Sequence, residues 1–469
     1  MKSSYKEAVD LEVLGCAARK AVAYLQNIRA RRVAPDAAAV RDLDRLTGEL
    51  PEDGSEPWKL IEILDRIGSP ATVATAGGRY FGYVIGGALP AGVAASWLAS
   101  AWDQNGALRA MSPVAAALED AALGWIRELL GLPPASGGAL VTGATMANFT
   151  CLAAARHSLL ERAGWDVEKD GLFGAPPLSV VVGDEVHISV IKALGMLGLG
   201  RERLIRVPAD RQGRIRPDKL PKLDSRTLIC IQAGNVNTGA FDPAGEVCER
   251  AREAGAWVHV DGAFGLWAAA SPRYRHLTHG FDEADSWATD AHKWANVGYD
   301  CGIAMVRRPQ ALQAAMAVGA AYIQPGTQRE PSYYAPEMSR RARGVELWAA
   351  LQSLGRSGIA DLIERTCAHA RRFAEGLREA GYRILNDVVI NQVLVSFGSA
   401  GRTRSVIERL QREGTCWCAG TEWQGQVAMR ISVSSWATTA ADVEASLAAM
   451  RSIAAEVSES PSALKNNNS

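Results

Sequence analysis

The chain has 469 residues, and its 51 lysines and arginines balance its 51 aspartates and glutamates. This balance excludes a strong overall attraction to nucleic acid or to anionic lipid, so we expect neither as a partner. The length exceeds that of most single domains and predicts a large domain with at least one smaller one.

The sequence gives no sign of membrane insertion or export. No apolar run is long enough to span a bilayer, and the charged N-terminus lacks the apolar centre of a secretory signal. We therefore expect a cytoplasmic protein. The eight cysteines are scattered, and only Cys416 and Cys418 lie close together. Because a zinc site needs four ligands at clustered spacings, we expect buried free thiols and no metal site.

The first 75 residues are predicted to form a helical segment, because Ala, Leu, Arg and Glu recur there at helical spacing. The glycine-rich and aromatic residues 77–87 that follow are predicted to form a loop. A larger domain is assigned to residues 76–346. The predicted helices of these two parts are 17–32, 37–50, 91–105 and 113–130.

Short β-rich runs alternate with helical runs through the middle of the chain. This alternation predicts an α/β domain with a mainly parallel sheet that is covered by helices. Ligands of such sheets bind beyond the carboxyl ends of the strands, so we look for chemistry in the loops after them. The predicted strands are 178–182, 227–232, 257–260, 285–289 and 302–306, and the predicted helices are 144–162, 190–199 and 243–254.

The pattern changes near residue 347. A long helical region to residue 380 precedes two strands and two helices, which predicts a small α+β domain over residues 347–455. Residues 456–469 have no apolar periodicity and are predicted to be a disordered tail. The strands of the small domain are predicted at 389–397 and 427–433, and its later helices at 404–412 and 440–455.

Lys293 follows the predicted strand 285–289 and stands between His292 and Trp294. In an apolar setting, desolvation would lower the pKa of this amine toward neutrality and favour a Schiff base with an aldehyde. Taken alone, the residue can also be an ordinary surface lysine.

Asp261 lies at the end of the predicted strand 257–260. Its carboxylate is suited to pair with a protonated pyridine nitrogen, and the charged ring is then an electron sink. Ala263 is small enough to lie against the flat face of such a ring. The alternative is an aspartate that merely forms a turn.

Two further loops carry polar groups. Thr142–Thr145 precede the predicted helix 144–162, and backbone N–H groups at a helix start bind anions. A plain turn is the alternative, and the stretch does not match a nucleotide P-loop. His187, after the predicted strand 178–182, is placed to stack on a planar cofactor or to serve a structural role.

The order of these four features resembles the group II decarboxylases that depend on pyridoxal 5'-phosphate (PLP). This family includes the aromatic-L-amino-acid, glutamate and histidine decarboxylases. The similarity extends over roughly residues 60–450. The matching stretches are 77–81, 111–113, Thr142–Asn148, His187–Ser189, His259–Ala263 and His292–Trp294, the last of which is followed by 299–301.

The resemblance implies PLP fold type I, the aspartate aminotransferase-like fold, with a mainly parallel seven-stranded type of sheet. It also implies a homodimer, formed in part by the N-terminal segment, with active sites at the subunit interface. Lys293 would hold the cofactor as a Schiff base, Asp261 would hold the ring nitrogen and His187 would stack over the ring.

Other site residues also follow from the resemblance. Arg430 matches a family arginine that can hold a carboxylate or serve a domain contact. Ala263 would lie against the ring. Residues Gly143, Ala144, Thr145 and His292 would hold the phosphate, with Asp290 nearby.

The sequence also departs from the family pattern. Met146 stands in place of the usual glutamate, and the usual threonines after the third strand are replaced in the stretch Gly234–Gly239, which leaves Asn235 or Asn237 to contact the phenolic oxygen. The family's mobile loop falls around residues 324–341 and looks short. Its Tyr334, or else Tyr333, is a candidate proton donor, and packing at an interface is the alternative.

The resemblance implies an enzyme that decarboxylates an L-amino acid. The alternatives are another PLP reaction, such as transamination, aldol-type cleavage or oxidative deamination after decarboxylation, and a PLP-binding protein without catalysis. An aromatic substrate is favoured and an acidic one is second, in which case Arg109 could meet its side chain unless it is simply solvated. The aromatic residues that could line a pocket, or else pack in the core, are Tyr80, Phe81, Tyr83, Trp97 and Trp102.

Overall fold

A seven-stranded sheet forms the centre of the protein in the computed structural model, which describes residues 11–317 and 328–457. Its strand order is β1-β7-β6-β5-β4-β2-β3. Strand β7 runs antiparallel to both of its neighbours, and the other pairs are parallel. The mainly parallel sheet predicted from the sequence is confirmed. The strands are β1 (Gly137–Val141), β2 (Ser179–Gly183), β3 (Ile205–Val207), β4 (Thr227–Gln232), β5 (Trp257–Asp261), β6 (Ser286–Asp290) and β7 (Gly302–Val306).

Helices cover both faces of this sheet, so its central strands are apolar throughout rather than alternating. Every residue of β4 is buried. Successive side chains of a strand point to opposite faces, and accordingly Ile229 and Ile231 join one hydrophobic core while Leu228 and Cys230 join another. The helices that precede the small domain are α1 (Glu12–Gln26), α2 (Ala37–Asp42), α3 (Pro57–Ile63), α4 (Ser69–Ala71), α5 (Pro90–Trp102), α6 (Pro113–Leu129), α7 (Ala144–Arg162), α8 (Val167–Asp170), α9 (Ile188–Met196), α10 (Ala244–Ala254) and α11 (Pro309–Met316).

The C-terminal part folds around a separate antiparallel sheet with the order β10-β11-β9-β8. This sheet and its helices enclose a third core, which confirms the predicted small α+β domain. Its strands are β8 (Arg383–Ile384), β9 (Gln392–Ser396), β10 (Ala419–Trp423) and β11 (Gln426–Ser432), and the helices of this region are α12 (Arg343–Glu379), α13 (Ala400–Glu413) and α14 (Ala440–Glu456).

Helix α12 joins the two parts and is interrupted at Gly355, where φ is +60° and ψ is −178°. The predicted division at residue 346 falls within this helix, so the domain limits stay a prediction. Glu456 ends α14 and Val457 is buried, and the disordered tail over residues 456–469 stays a prediction. Residues 458–469 lie outside the described part. Within the described ranges, no helix has both the length and the apolarity needed to cross a membrane.

Candidate active site

A cavity of about 320 Å³ opens beyond the carboxyl ends of β4 and β5, where a parallel sheet is expected to bind ligands. It brings together Lys293, Asp261 and His187, three of the residues selected from the sequence. Its other lining residues are Tyr83, Val84, Ile85, Gln232, Gly234, Val236, Ala263, Phe264, Tyr299 and Arg430.

Lys293 lies in the turn that follows β6. Its Nζ donates a hydrogen bond to Oδ2 of Asp290, the last residue of that strand, over 2.8 Å. Burial by itself lowers the pKa of Lys293, but the carboxylates of Asp290 and Asp261 outweigh it and raise the pKa above the ordinary value. The predicted lowering was wrong, because the sequence argument considered desolvation without this ion pair.

Asp261 ends β5, and buried polar side chains hold its carboxylate. Oδ2 accepts hydrogen bonds from Nδ2 of Asn148 at 3.3 Å and from Oγ of Ser189 at 3.4 Å. His259 Nε2 lies 2.8 Å from Oδ1 of Asn148, and Nδ1 of the same ring lies 2.9 Å from Oγ of Ser286. Burial lowers the pKa of His259 to about 4, so this ring is neutral at pH 7. The network fixes a negative charge at the floor of the cavity.

His187 occupies the N-cap of α9, and its ring faces the cavity. Nδ1 accepts a hydrogen bond from the backbone N of Ser189 at 3.2 Å and lies 2.7 Å from Oγ of the same residue. Burial lowers the pKa of His187, and Lys293 and Arg430 lower it further against the opposing effect of Asp261. A neutral aromatic ring is therefore available to stack on a flat ligand.

The loop before α7 lies against the turn that carries Lys293. A Cβ atom at Gly143 would come 3.2 Å from Cε1 of His292 and 3.6 Å from Oδ1 of Asp290. The start of this 19-residue helix presents backbone N–H groups at that point. The predicted phosphate residues Gly143, Ala144, Thr145 and His292 thus come from two adjoining segments.

Asn237 contacts the small domain and Arg430 in the structure. Its Oδ1 accepts hydrogen bonds from Nη1 of Arg430 and from Oγ1 of Thr421, each at 3.0 Å. The side-chain oxygen of Asn235 instead accepts from backbone N–H groups of its own loop. The described lining residues include neither asparagine, so their contact with a cofactor stays a prediction.

Arg430 lines the cavity and is only 8% exposed. Burial lowers its pKa to about 10, and the Tyr83 hydroxyl opposes that effect. Its Nε has no hydrogen-bond partner among the residues that the structure describes. Because a buried polar atom without a partner is costly, this guanidinium is suited to receive an anionic group of a ligand.

Two other expected residues, Tyr334 and Arg109, are not among the described lining residues of the cavity, and the role of Tyr334 stays a prediction. The guanidinium of Arg329 lies over the ring of Tyr334, 4.8 Å from its centroid, and the lining residues within the described ranges do not include Tyr334. Residues 324–327 of the predicted mobile loop 324–341 lie outside the described part. Arg109 donates a hydrogen bond to Oδ2 of Asp120 at 2.5 Å, so this arginine is neither simply solvated nor a lining residue.

The aromatic residues proposed for a pocket divide into three groups. Tyr80 and Phe81 are buried in the protein and are not among the described lining residues. Tyr83 lines the cavity, whereas Trp97 and Trp102 are 42% and 43% exposed and lie outside it. Sequence reasoning missed Tyr299, whose ring centroid lies 4.4 Å from that of His292. It also missed Gln232, the last residue of β4. The position of Gln232 at the end of a buried strand could have identified it.

The residues of this cavity fit PLP on their own chemistry. An amine, a fixed carboxylate and a neutral ring face one space, and a helix N-terminus adjoins them. Oδ1 of Asp290, beside that N-terminus, is buried without a hydrogen-bond partner in the described part of the chain. Aldehyde, pyridine nitrogen, ring face and phosphate each have a matching group here.

Comparisons with known proteins agree with this chemistry. The pyridoxal-dependent decarboxylase conserved domain matches residues 51–398. The chain is 26% identical to an aromatic-L-amino-acid decarboxylase of Bacillus atrophaeus, over 88% of this chain and 89% of that protein. It is 27% identical to the human acidic amino acid decarboxylase GADL1, over 72% of this chain and 66% of that protein.

A solved structure matches nearly the whole chain. The Oryza sativa protein TDC, crystallised with PLP and tryptamine, superposes with a TM-score of 0.88 at 22% identity, over 97% of this chain and 99% of that one. At this identity the likeness supports the fold alone. The family match over most of the chain carries the assignment: the chain belongs to the pyridoxal-dependent decarboxylase family and is a carboxy-lyase whose cofactor is PLP.

Proposed function

We propose that the protein converts an aromatic L-amino acid into its amine and carbon dioxide. The observation that carries this proposal is the convergence of Lys293, Asp261 and a neutral His187 on one cavity. When bound, PLP supplies the electron sink for breaking the bond between Cα and the carboxylate. The protein decides which bond breaks by the way it holds the substrate.

Each residue has a distinct part in this proposal. Lys293 would bind the cofactor aldehyde, Asp261 would keep the ring nitrogen protonated and His187 would cover the ring. The carboxylate of Asp261 is suited to that part because Asn148 and Ser189 hold it in place. The proposed phosphate and ring contacts are Gly143, Ala144, Thr145, His292 and Ala263, with Asn237 acting through Arg430.

The walls of the cavity support an aromatic side chain. Tyr83, Val84, Ile85, Val236 and Phe264 present apolar surface, and its burial stabilises a bound apolar group by about 25 cal/mol per Å². Arg430 supports an acidic substrate as the second candidate, because it offers a buried cation in the same space. The related decarboxylases include both substrate classes.

We also propose a homodimer in which a second copy covers the N-terminal helices. Apolar side chains on α1, α3 and α5 stand open to solvent, and such patches mark contact sites. Their exposed fractions are 60% for Leu14, 48% for Trp58, 42% for Trp97, 54% for Leu98 and 43% for Trp102.

Product analysis tests the reaction. The PLP-loaded protein is incubated with each L-amino acid, and carbon dioxide, amine, aldehyde and ammonia are measured. We expect carbon dioxide and amine in equal amounts, with aromatic substrates fastest. Aldehyde with ammonia would instead establish the oxidative route, and glutamate or aspartate as the fastest substrate would replace the aromatic proposal.

Lys293→Ala is the control for this assay. The variant should lose both turnover and the absorbance band of the linked cofactor, because the amine that holds PLP is gone. A PLP adduct that borohydride still fixes to this variant would contradict the assignment of Lys293.

A further inference from the structure

Asp290 is a buried carboxylate at the end of β6, with its side chain 1% exposed. Its Oδ2 accepts the hydrogen bond from Nζ of Lys293, while Oδ1 has no hydrogen-bond partner within residues 11–317 and 328–457. Removing a carboxylate from water is costly unless a cation compensates it. The buried ion pair between Asp290 and Lys293 is therefore part of the structure of the cavity, and it differs from an exposed ion pair on the surface.

Other titratable groups also face Lys293. The carboxylate of Asp261, the Tyr299 phenol and the rings of His187 and His292 surround it, and Arg430 stands across the cavity. Burial lowers the pKa of both histidines, so neither competes as a cation.

Of the two nearby carboxylates, Asp261 already accepts hydrogen bonds from Asn148 and Ser189. This leaves Asp290 as the carboxylate in direct contact with Nζ.

We infer that Asp290 is a positioning residue that keeps the released Lys293 side chain protonated beside the cavity, so that Lys293 returns the proton to Cα. This inference rests on the proposed decarboxylation. As the bond from Cα to the carboxylate breaks, carbon dioxide leaves and the electron pair remains on the Cα side. An N–H bond of Lys293 then breaks, a Cα–H bond forms, and Lys293 is left as the neutral amine.

Three described tyrosines are less suited to this proton transfer. Tyr83 lines the cavity, but its ring stacks on that of Trp417 at a centroid distance of 5.6 Å. Tyr334 packs with Arg329 and is absent from the described lining residues. Tyr299 lines the cavity, but its ring lies against His292. Lys293 is the group whose proton is held in place by a hydrogen bond to a fixed acceptor, the last residue of a sheet strand.

The first test needs no turnover. The full chain without added PLP is treated with acetic anhydride over a range of pH, and acetylation of Lys293 is followed by mass spectrometry. Asp290→Asn keeps the shape of the side chain but removes its charge. At a pH below the titration of Lys293, the variant should react about tenfold faster, because each unit by which the pKa falls raises the free-amine fraction tenfold.

Asp285→Asn is the matched control. Asp285 precedes the opposite end of β6, and its carboxylate accepts a hydrogen bond from the backbone N of Val258, which an asparagine oxygen can also accept. This variant should acetylate like the parent, and circular dichroism shows whether each variant folds. Equal acetylation in the parent and a folded Asp290→Asn would overturn the inference.

The second test uses the PLP-loaded protein. Because Lys293 must be protonated to act as the acid, kcat falls as pH rises through its titration. In Asp290→Asn this fall should move to lower pH with KM nearly unchanged. If the fall moves in Tyr299→Phe and not in Asp290→Asn, Tyr299 is the donor and the inference is wrong. If the parent releases no carbon dioxide, the proposed function is wrong. The acetylation result still shows whether Asp290 keeps Lys293 protonated.

Discussion

The carboxylate of Asp261 is held in place by the protein itself. A continuous chain of buried side chains leads from Ser286 through His259 and Asn148 to the Asp261 carboxylate. Each member is oriented by the next, so the acceptor does not have to reorganise when a cation is placed beside it. Fixed dipoles and charges of this kind are what make enzyme electrostatics effective.

Replacing Asp261 by Asn removes the charge and retains the shape. We expect PLP to remain linked to Lys293 and kcat to fall about a hundredfold or more, since the ring nitrogen loses its anion. Steady-state kinetics and the absorbance band measure the two effects. Asp285→Asn serves again as the control, and an unchanged kcat in Asp261→Asn would show that ring protonation is not the role of this carboxylate.

His259 makes stability depend on pH. Its pKa is about 4 in the folded protein, whereas an unfolded histidine titrates near 6.5. Between these values the unfolded chain binds the proton first, so this contribution is complete above pH 6.5 and is lost as pH falls toward 4. From pH 7 to pH 5 it lowers the free energy of unfolding by about 2 kcal/mol.

Urea unfolding at the two pH values measures that loss. In His259→Gln the decrease should be smaller than in the parent by about the same 2 kcal/mol. Exposed His276 provides the control, since His276→Gln should leave the pH dependence in place. Equal pH dependence in the parent and His259→Gln would contradict the assigned protonation of the network.

At the scale of elements, the sequence predicted those strands whose apolar runs are continuous. The predicted limits of β4 and β7 agree with the structure. Strand β1 was missed because it begins with Gly137 and Gly138, which weaken strand propensity. A Cβ at Gly138 would come 1.9 Å from the carbonyl oxygen of Ala304, so the close pairing of β1 with β7 requires a glycine at this position. The same glycine makes β1 difficult to recognise as a strand from the sequence.

The residues of the site also differ in how far the sequence could predict them. Lys293, Asp261 and His187 could be selected because each directly follows a predicted strand. Arg430 lies in the small domain, and only the folded chain shows that it reaches the same cavity. The sign of the shift in the pKa of Lys293 could not be predicted either, because it depends on the distance to Asp290.

Gly302, the first residue of β7, couples the sheet to the loop before α7. A Cβ there would come 2.5 Å from the backbone of Gly143, so Gly302→Ala must displace this loop. We expect PLP affinity to fall and the free energy of unfolding to drop by about 1–3 kcal/mol. Fluorescence titration with PLP and urea unfolding measure the two changes.

Gly124 gives a matched control within α6, since a Cβ at that position meets nothing within 4 Å. Gly124→Ala should keep PLP affinity and raise stability by about 0.5–1 kcal/mol, as expected for alanine in a helix. Unaltered PLP affinity in Gly302→Ala would show that the loop before α7 is not part of the binding site.

At the scale of the whole molecule, the exposed apolar surface on the N-terminal helices is the main feature that a single copy leaves unexplained. Side chains there are open to solvent although the rest of the described chain encloses three large cores. Burying such a patch releases water and favours association. A cytoplasmic location stays a prediction from the sequence.

Light scattering during size exclusion tests the dimer. The chain mass is 50.0 kDa, so the proposed homodimer should be found near twice that value. Leu98→Glu places a charge in the proposed contact and should shift the mass toward the monomer. Phe173→Glu is the control, because Phe173 is 98% exposed on a separate loop. A monomeric parent would contradict the dimer proposal.

The long helix α12 has a consequence for independent folding. Leu347 and Ile363 of this helix belong to the core beneath the large sheet, whereas Phe373 and Leu377 belong to the core of the small one. A fragment that starts after Glu379 would therefore lack one wall of its own interior. We expect such a fragment to remain unfolded and to be cleaved readily by proteases. The large and small domains should therefore be expressed together in one chain.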